Sequence, residues 1–259
     1  MLIATVTTQR SGSKFLGGCF LSGSVVSPFG EVFDPSSTAA GSFKVFLSHD
    51  RPDYHRESGY DILQRYFKTM EDIRSIVHID IMFNQVEIPT TTWSPEPTFF
   101  IYSYLKWAQA VVIHLERDAE QTFLSSSYLQ QVGGDAHNYN DTSIQQATGL
   151  TLDIDAYYKH RRFCLWHKCQ LHDAMRGYPF FYHLKYDDLA KEASIPEELR
   201  SVIRTAAEQH NIPVNAEMIQ FTKPRIYPSN VDYRIAFSNY HQLDQRIETM
   251  RQIEAGLSN

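Results

Sequence analysis

Leu2-Ile3-Ala4-Thr5-Val6-Thr7-Thr8-Gln9-Arg10-Ser11-Gly12-Ser13-Lys14-Phe15-Leu16 sets the fold, because it passes through three patterns in one short run. Residues 2–8 are β-branched and apolar and read as a strand. Residues 9–13 are a polar turn with a permissive glycine. From residue 14 to 21 the apolar Phe15, Leu16, Cys19 and Phe20 recur at helical spacing, with Ser11 or Ser13 placed to cap the first turn. The unit is strand, loop, helix.

The same alternation continues outward. Residues 27–31 (Ser-Pro-Phe-Gly-Glu) read as a breaker cluster, and residues 43–49 as the next strand, ending in His49-Asp50. A helix is predicted over 60–70, a strand over 75–83 and an aromatic-rich helix over 98–109. Residues 110–115 form an apolar strand that runs into Glu116-Arg117-Asp118, followed by a helix over 119–131. The Gly-, Asn- and Asp-rich run 133–151 has the composition of an irregular segment and is a candidate lid. A long helix is predicted over 153–175, a strand over 178–186, and further helices over 196–210 and 239–254. Strands alternating with helices imply an α/β, three-layer architecture with a mostly parallel central sheet flanked by helices, as a single domain over 1–259.

Composition narrows the function. A chain of 259 residues with 42% hydrophobic and 21% charged residues has ordinary globular usage. Twenty-four basic against thirty acidic residues give a net charge of −6, so no global positive field favours nucleic acid or anionic lipid, and neither partner is expected. The apolar runs are far shorter than the ~20 residues of a membrane helix, and the start lacks a basic n-region. Three cysteines, Cys19, Cys164 and Cys169, form no paired framework; a cytoplasmic location is the expectation.

In an open parallel sheet, ligands gather beyond the carboxyl ends of the strands, and the loop entering a helix offers N–H groups to an anion. Gln9, Arg10, Ser11, Gly12, Ser13 and Lys14 sit in such a loop, with Phe15 beginning the helix. Gly12 allows close approach, the serines supply hydroxyls, and Arg10 and Lys14 supply charge. A Walker A loop is excluded, since Thr7 stands where its first glycine would be.

Thr8-Gln9-Arg10-Ser11-Gly12-Ser13 resembles the T-x-R-S-G-S loop of the 3′-phosphoadenosine 5′-phosphosulfate (PAPS)-dependent sulfotransferases, where it holds the donor's 5′-phosphosulfate end. Lys14 departs from the hydroxyl residue that follows this loop in many relatives. Arg117, with Ser125 eight residues on, is similar to the family's 3′-phosphate signature. Phe29-Gly30-Glu31-Val32-Phe33, the Phe43-Lys44-Val45-Phe46 segment ending at His49, and Tyr186-Asp187-Asp188-Leu189 resemble further family segments, and Lys223-Pro224-Arg225 is placed like its C-terminal basic loop. The resemblance implies a P-loop-like sulfotransferase fold. The implied reaction moves a sulfuryl group from PAPS to a hydroxyl of a small metabolite, leaving adenosine 3′,5′-bisphosphate (PAP), as in the compact bacterial enzymes of secondary-metabolite and alkaloid toxin biosynthesis. A bacterial saccharide is the substitute acceptor, and a non-catalytic nucleotide-binding module is the reading from another class.

The implied cofactor contacts are Gln9, Arg10, Ser11, Gly12, Ser13, Lys14, Phe15, Arg117, Ser125, Lys223 and Arg225. Arg10 and Lys14 would stabilise charge on the departing phosphate, and Glu31 or His49 would be the base, with Asp34 a weaker alternative; Lys44 either helps with charge or snorkels from its strand. His160, Cys164 and His167 lie at i, i+4 and i+7, with Cys169 and His172 nearby, a spacing that could align soft metal ligands. No carboxylate or second cysteine pair completes a tetrahedral set, and Phe163, Leu165 and Trp166 suggest packing; no metal is expected.

Overall fold

The computed structural model describes residues 1–22, 26–53, 56–88, 99–132, 147–192, 195–214 and 231–257. Among these residues five strands, β1 (Leu2–Thr7), β2 (Val26–Glu31), β3 (Ile76–Met82), β4 (Val111–Glu116) and β5 (Phe181–Lys185), form one sheet in the order β2-β3-β1-β4-β5. Every pairing is parallel, so all five carboxyl ends lie on one edge. β1 and β3 are buried at every residue, which requires cover on both faces and explains their nearly continuous apolar sequence.

The helices are α1 (Ser13–Ser22), α2 (Phe43–Asp50), α3 (Gly59–Glu71), α4 (Phe100–Trp107), α5 (Ala119–Val132), α6 (Ile154–Ala174), α7 (Tyr186–Glu192), α8 (Glu197–Gln209), α9 (Tyr233–Ala236) and α10 (Tyr240–Leu257). On one sheet face, Ile3, Val111, Ile113, Leu115 and Leu184 pack with Phe15, Leu16 and Phe20 of α1 and with Leu199, Ile203 and Ala206 of α8. Leu199 and Ile203 are fully buried, a gain of roughly 1.5–3 kcal/mol each. A ring cluster of Phe33, Phe43, Tyr66, Phe67 and Tyr104 joins α2, α3 and α4.

Two sequence expectations are corrected. Residues 43–49 are the helix α2, not a strand: Ser42 caps it by accepting from the Val45 amide, and the apolar Phe43, Phe46 and Leu47 fit helical spacing as well as a buried strand. Residues 27–31 lie within strand β2 and do not break the structure. β2 is the sheet edge, where Pro28 costs no central ladder bond, and the register slips between Pro28 and Gly30 in a bulge.

The chain packs as two compact units, Met1–Arg117 with His167–Pro224, and Asp118–Trp166 with Arg225–Asn259. The first holds the sheet. In the second, Phe123, Leu124 and Tyr128 of α5 pack with Leu152, Tyr157, Phe237, Tyr240 and Leu243. Asn239 accepts from the Leu152 amide and donates to its carbonyl, and Tyr240 donates to Glu120. Of the candidate lid, 133–146 lies outside the described residues; Leu150 bridges to Phe237.

Candidate functional site at the carboxyl edge of the sheet

The loop between β1 and α1 turns sharply. Arg10 takes a left-handed conformation (φ 67°) and Gly12 has φ 93°. The Gly12 carbonyl accepts from the Phe15 and Leu16 amides, which opens α1 with its N-terminal amides at the sheet edge. A side chain at residue 12 is excluded twice over, since a Cβ there would lie 2.3 Å from the Tyr186 ring. Ser11 is buried and shares a 2.6 Å hydrogen bond with the Thr7 hydroxyl, which also bonds the Leu115 carbonyl on β4.

Arg117 reaches the same loop. Its Nη1 donates to the Arg10 carbonyl at 2.8 Å, and its guanidinium lies 4.7 Å from the centre of the Tyr186 ring. Phe15 meets that ring edge-on. Two loops that the sequence places about a hundred residues apart are thus drawn together where the strand order reverses around β1. Tyr186 is the shared platform.

A third group comes from β2 and β3. Asp80, two residues before the end of β3, is buried and is the register partner of Glu31. Burial, with the charge of Glu31 adding, lifts the Asp80 carboxyl from its ordinary 3.8 to about 7, against the opposing pull of Lys14 and the Ser13 hydrogen bond. His78 lies beneath it, bonded to Thr5 at 2.8 Å and held neutral by burial, which pushes it down to about 3. Gln85 donates from Nε2 to Glu31 Oε2 at 2.9 Å and accepts the Met82 amide at 3.2 Å, so Glu31 is held in a fixed position. Lys14 is exposed, and its charge acts on Asp80.

The remaining expected residues fall as follows. Gln9 is exposed in the loop. His49 and Lys44 lie on α2 and are exposed, so His49 ends a helix and not a strand; Lys44 donates to the Pro35 carbonyl at 3.1 Å. Asp34 accepts from Ser36, and Asp50 pairs with Arg65 at 2.6 Å. Ser125 is a buried residue of α5 in the second unit. Lys223 and Arg225 lie outside the described residues.

Sequence reasoning missed Asp80 and Gln85, and gave Tyr186 no role at the loop. An acidic residue inside the apolar run Ile76-Val77-His78-Ile79-Asp80-Ile81 was the available signal for the first. Of the residues that helical spacing aligns along α6, His160 bonds Thr122 at 2.9 Å and lies 3.5 Å from Cys164 Sγ, while His167 stacks on Phe83. Among the described residues no helix is long and apolar enough to cross a membrane. No family model matches the chain, and no curated protein matches it significantly.

Proposed function

We propose that this chain is a PAPS-dependent sulfotransferase with a P-loop-like sulfotransferase fold, acting on a hydroxyl of a small metabolite. The observation that carries the reading is the Arg117–Arg10 hydrogen bond, which brings the Arg117 guanidinium, held over the Tyr186 ring, to the backbone of the loop that opens α1. A net acidic chain needs such a local cluster to hold a polyanionic donor.

In the reaction, the acceptor oxygen forms a bond to sulfur as the sulfur–oxygen bond to the 5′-phosphate breaks. The acceptor proton passes to a base, and PAP departs with the electron pair. Arg10, Lys14 and the α1 amides would stabilise the leaving phosphate, and Glu31, positioned by Gln85, is the better-placed base. Glu31 gives the edge the acidic character that suits a cationic guanidino acceptor, and the resemblance extends to the sulfotransferase of cylindrospermopsin biosynthesis, which acts on such an alkaloid.

Calorimetry of PAP binding tests the reading. Arg117→Ala should weaken PAP at least tenfold while changing adenosine 5′-monophosphate little. Absence of PAP binding to the folded protein overturns the proposal; binding without acceptor-dependent turnover favours the non-catalytic module.

One observation favours a phosphotransferase instead, namely a buried Asp80 bonded to Ser13 at the helix entrance, a pair that could hold Mg²⁺. Sulfuryl transfer would persist in chelator, and magnesium-dependent phosphoryl transfer would not.

A further inference from the structure

His114 on β4 alternates with Val111, Ile113 and Leu115 of the α1 and α8 core, so it projects from the opposite sheet face. Its register partner on β5 is His183, whose ring stacks on it with centroids 4.9 Å apart. His172 of α6 stands edge-on to both rings, and its Nε2 lies 2.9 Å from His114 Nδ1. One ligand nitrogen from each residue lies within 4.8 Å of the other two.

We propose that His114, His172 and His183 bind a divalent ion of the zinc class, tying α6 to the β4–β5 side of the sheet. Tetrahedral Zn–N bonds of 2.0–2.1 Å separate ligand nitrogens by about 3.3 Å, which small ring rotations reach from the present spacing. Two imidazoles facing each other at 2.9 Å share a single proton; a cation between them uses both lone pairs and adds that of the third ring.

The surroundings fit. Glu116 Oε2 lies 2.6 Å from His183 Nε2, and its Oε1 accepts Lys168 Nζ at 2.6 Å. A proton on His183 Nε2 donated to Glu116 leaves the Nδ1 lone pair for the metal, the carboxylate–histidine arrangement that orients metal ligands. His114 is buried and His172 half-buried, surroundings that favour neutral imidazoles with a lone pair to give. His183 is 31% exposed, which gives an ion a way in, and water would complete the coordination.

The test is a titration of the chelator-stripped full chain with Co²⁺, followed by Zn²⁺ competition against a chromophoric chelator. The expected result is one equivalent bound with d–d bands of four-coordinate intensity, no thiolate charge-transfer band, and displacement by Zn²⁺. His172→Gln and His183→Gln should each weaken binding by about 100-fold or more, and Glu116→Gln by about 10- to 100-fold. His160→Gln, bonded instead to Thr122, should bind like the wild type. Absence of saturable one-equivalent binding to the wild type, a thiolate band implicating Cys164 or Cys169, or unchanged affinity in both histidine variants overturns the site. Because the wild-type spectrum alone decides between the first two outcomes, misfolding of a variant does not rescue the proposal.

Discussion

Asp80→Asn should change how stability responds to pH, with a sign fixed by burial. The folded carboxyl holds its proton up to about pH 7, whereas the same group in the unfolded chain releases it near 3.8. Between those values the unfolded state binds fewer protons than the native state, so the Asp80 contribution falls as pH rises from about 4 to 7 and is level above that. A shift of roughly 3 units at about 1.36 kcal/mol each places the full loss near 4 kcal/mol, the upper bound for a group this buried. The asparagine cannot ionise and removes that slope. His78 and His114, both lowered by burial, contribute the opposite slope; His114 does so equally in both proteins, whereas His78 Nε2 lies 3.6 Å from Asp80 Oδ1, so the comparison is repeated in a His78→Gln background to isolate Asp80. Urea unfolding curves at half-unit intervals from pH 4.5 to 8 provide the measurement, and the variant should gain on the wild type by 2–4 kcal/mol over that range. Parallel curves, differing by less than about 1 kcal/mol in slope across the window, would show that Asp80 ionises normally and that the edge is wetter than its geometry implies.

Gly12→Ala must adopt a positive φ and place a methyl against the Tyr186 ring, so denaturation should show a loss of at least about 1–3 kcal/mol, with PAP binding reduced alongside. Glu31→Gln at saturating donor should cut turnover by about 10²- to 10⁴-fold if Glu31 is the base, while His49→Ala on the exposed end of α2 should leave it nearly unchanged; the reverse result moves the base to His49. Cys19 is fully buried and its thiol is pushed up to about 11 by desolvation, so thiol reagents followed by intact-mass measurement should label exposed Cys169 in the native protein and Cys19 only after unfolding.

How much of this was legible in the sequence depended on the range of the interaction involved. β1, β3 and β4 were readable because a strand buried on both faces is a nearly unbroken apolar run, and α3 because Ser58 caps it and Ile62, Leu63, Tyr66, Phe67 and Met70 repeat with helical period. Residues 43–49 failed because a short apolar run satisfies both periods, and the deciding contact, Ser42 to the Val45 amide, is a single hydrogen bond. Residues 27–31 failed because proline and glycine are tolerated at a sheet edge, and edge position is a property of strand order, which periodicity does not contain.

The same distinction separates the two candidate sites. The 9–14 loop was visible because its parts are consecutive and Arg117 because the resemblance marked it, while the bond from Arg117 to the Arg10 carbonyl across 107 residues and the Tyr186 ring against Gly12 needed the fold. The histidine triad offered no local signal: His114 and His172 are 58 residues apart, and what joins them is the pairing of β4 with β5 under α6. Spacing along one helix pointed instead to His160, Cys164 and His167, since a single sequence displays i, i+4 and i+7 neighbours and nothing across a sheet. The fold gave those residues separate partners, with Thr122 taking His160 and Phe83 taking His167, while His172 from the same helix was carried to the strands. Ligand sets built across parallel strands therefore follow from register, and register here is fixed by Ile113, Leu115 and Leu184 facing the α1 and α8 core: slipping β5 by one residue would bury Lys185 in place of Leu184 and turn His183 away from His114.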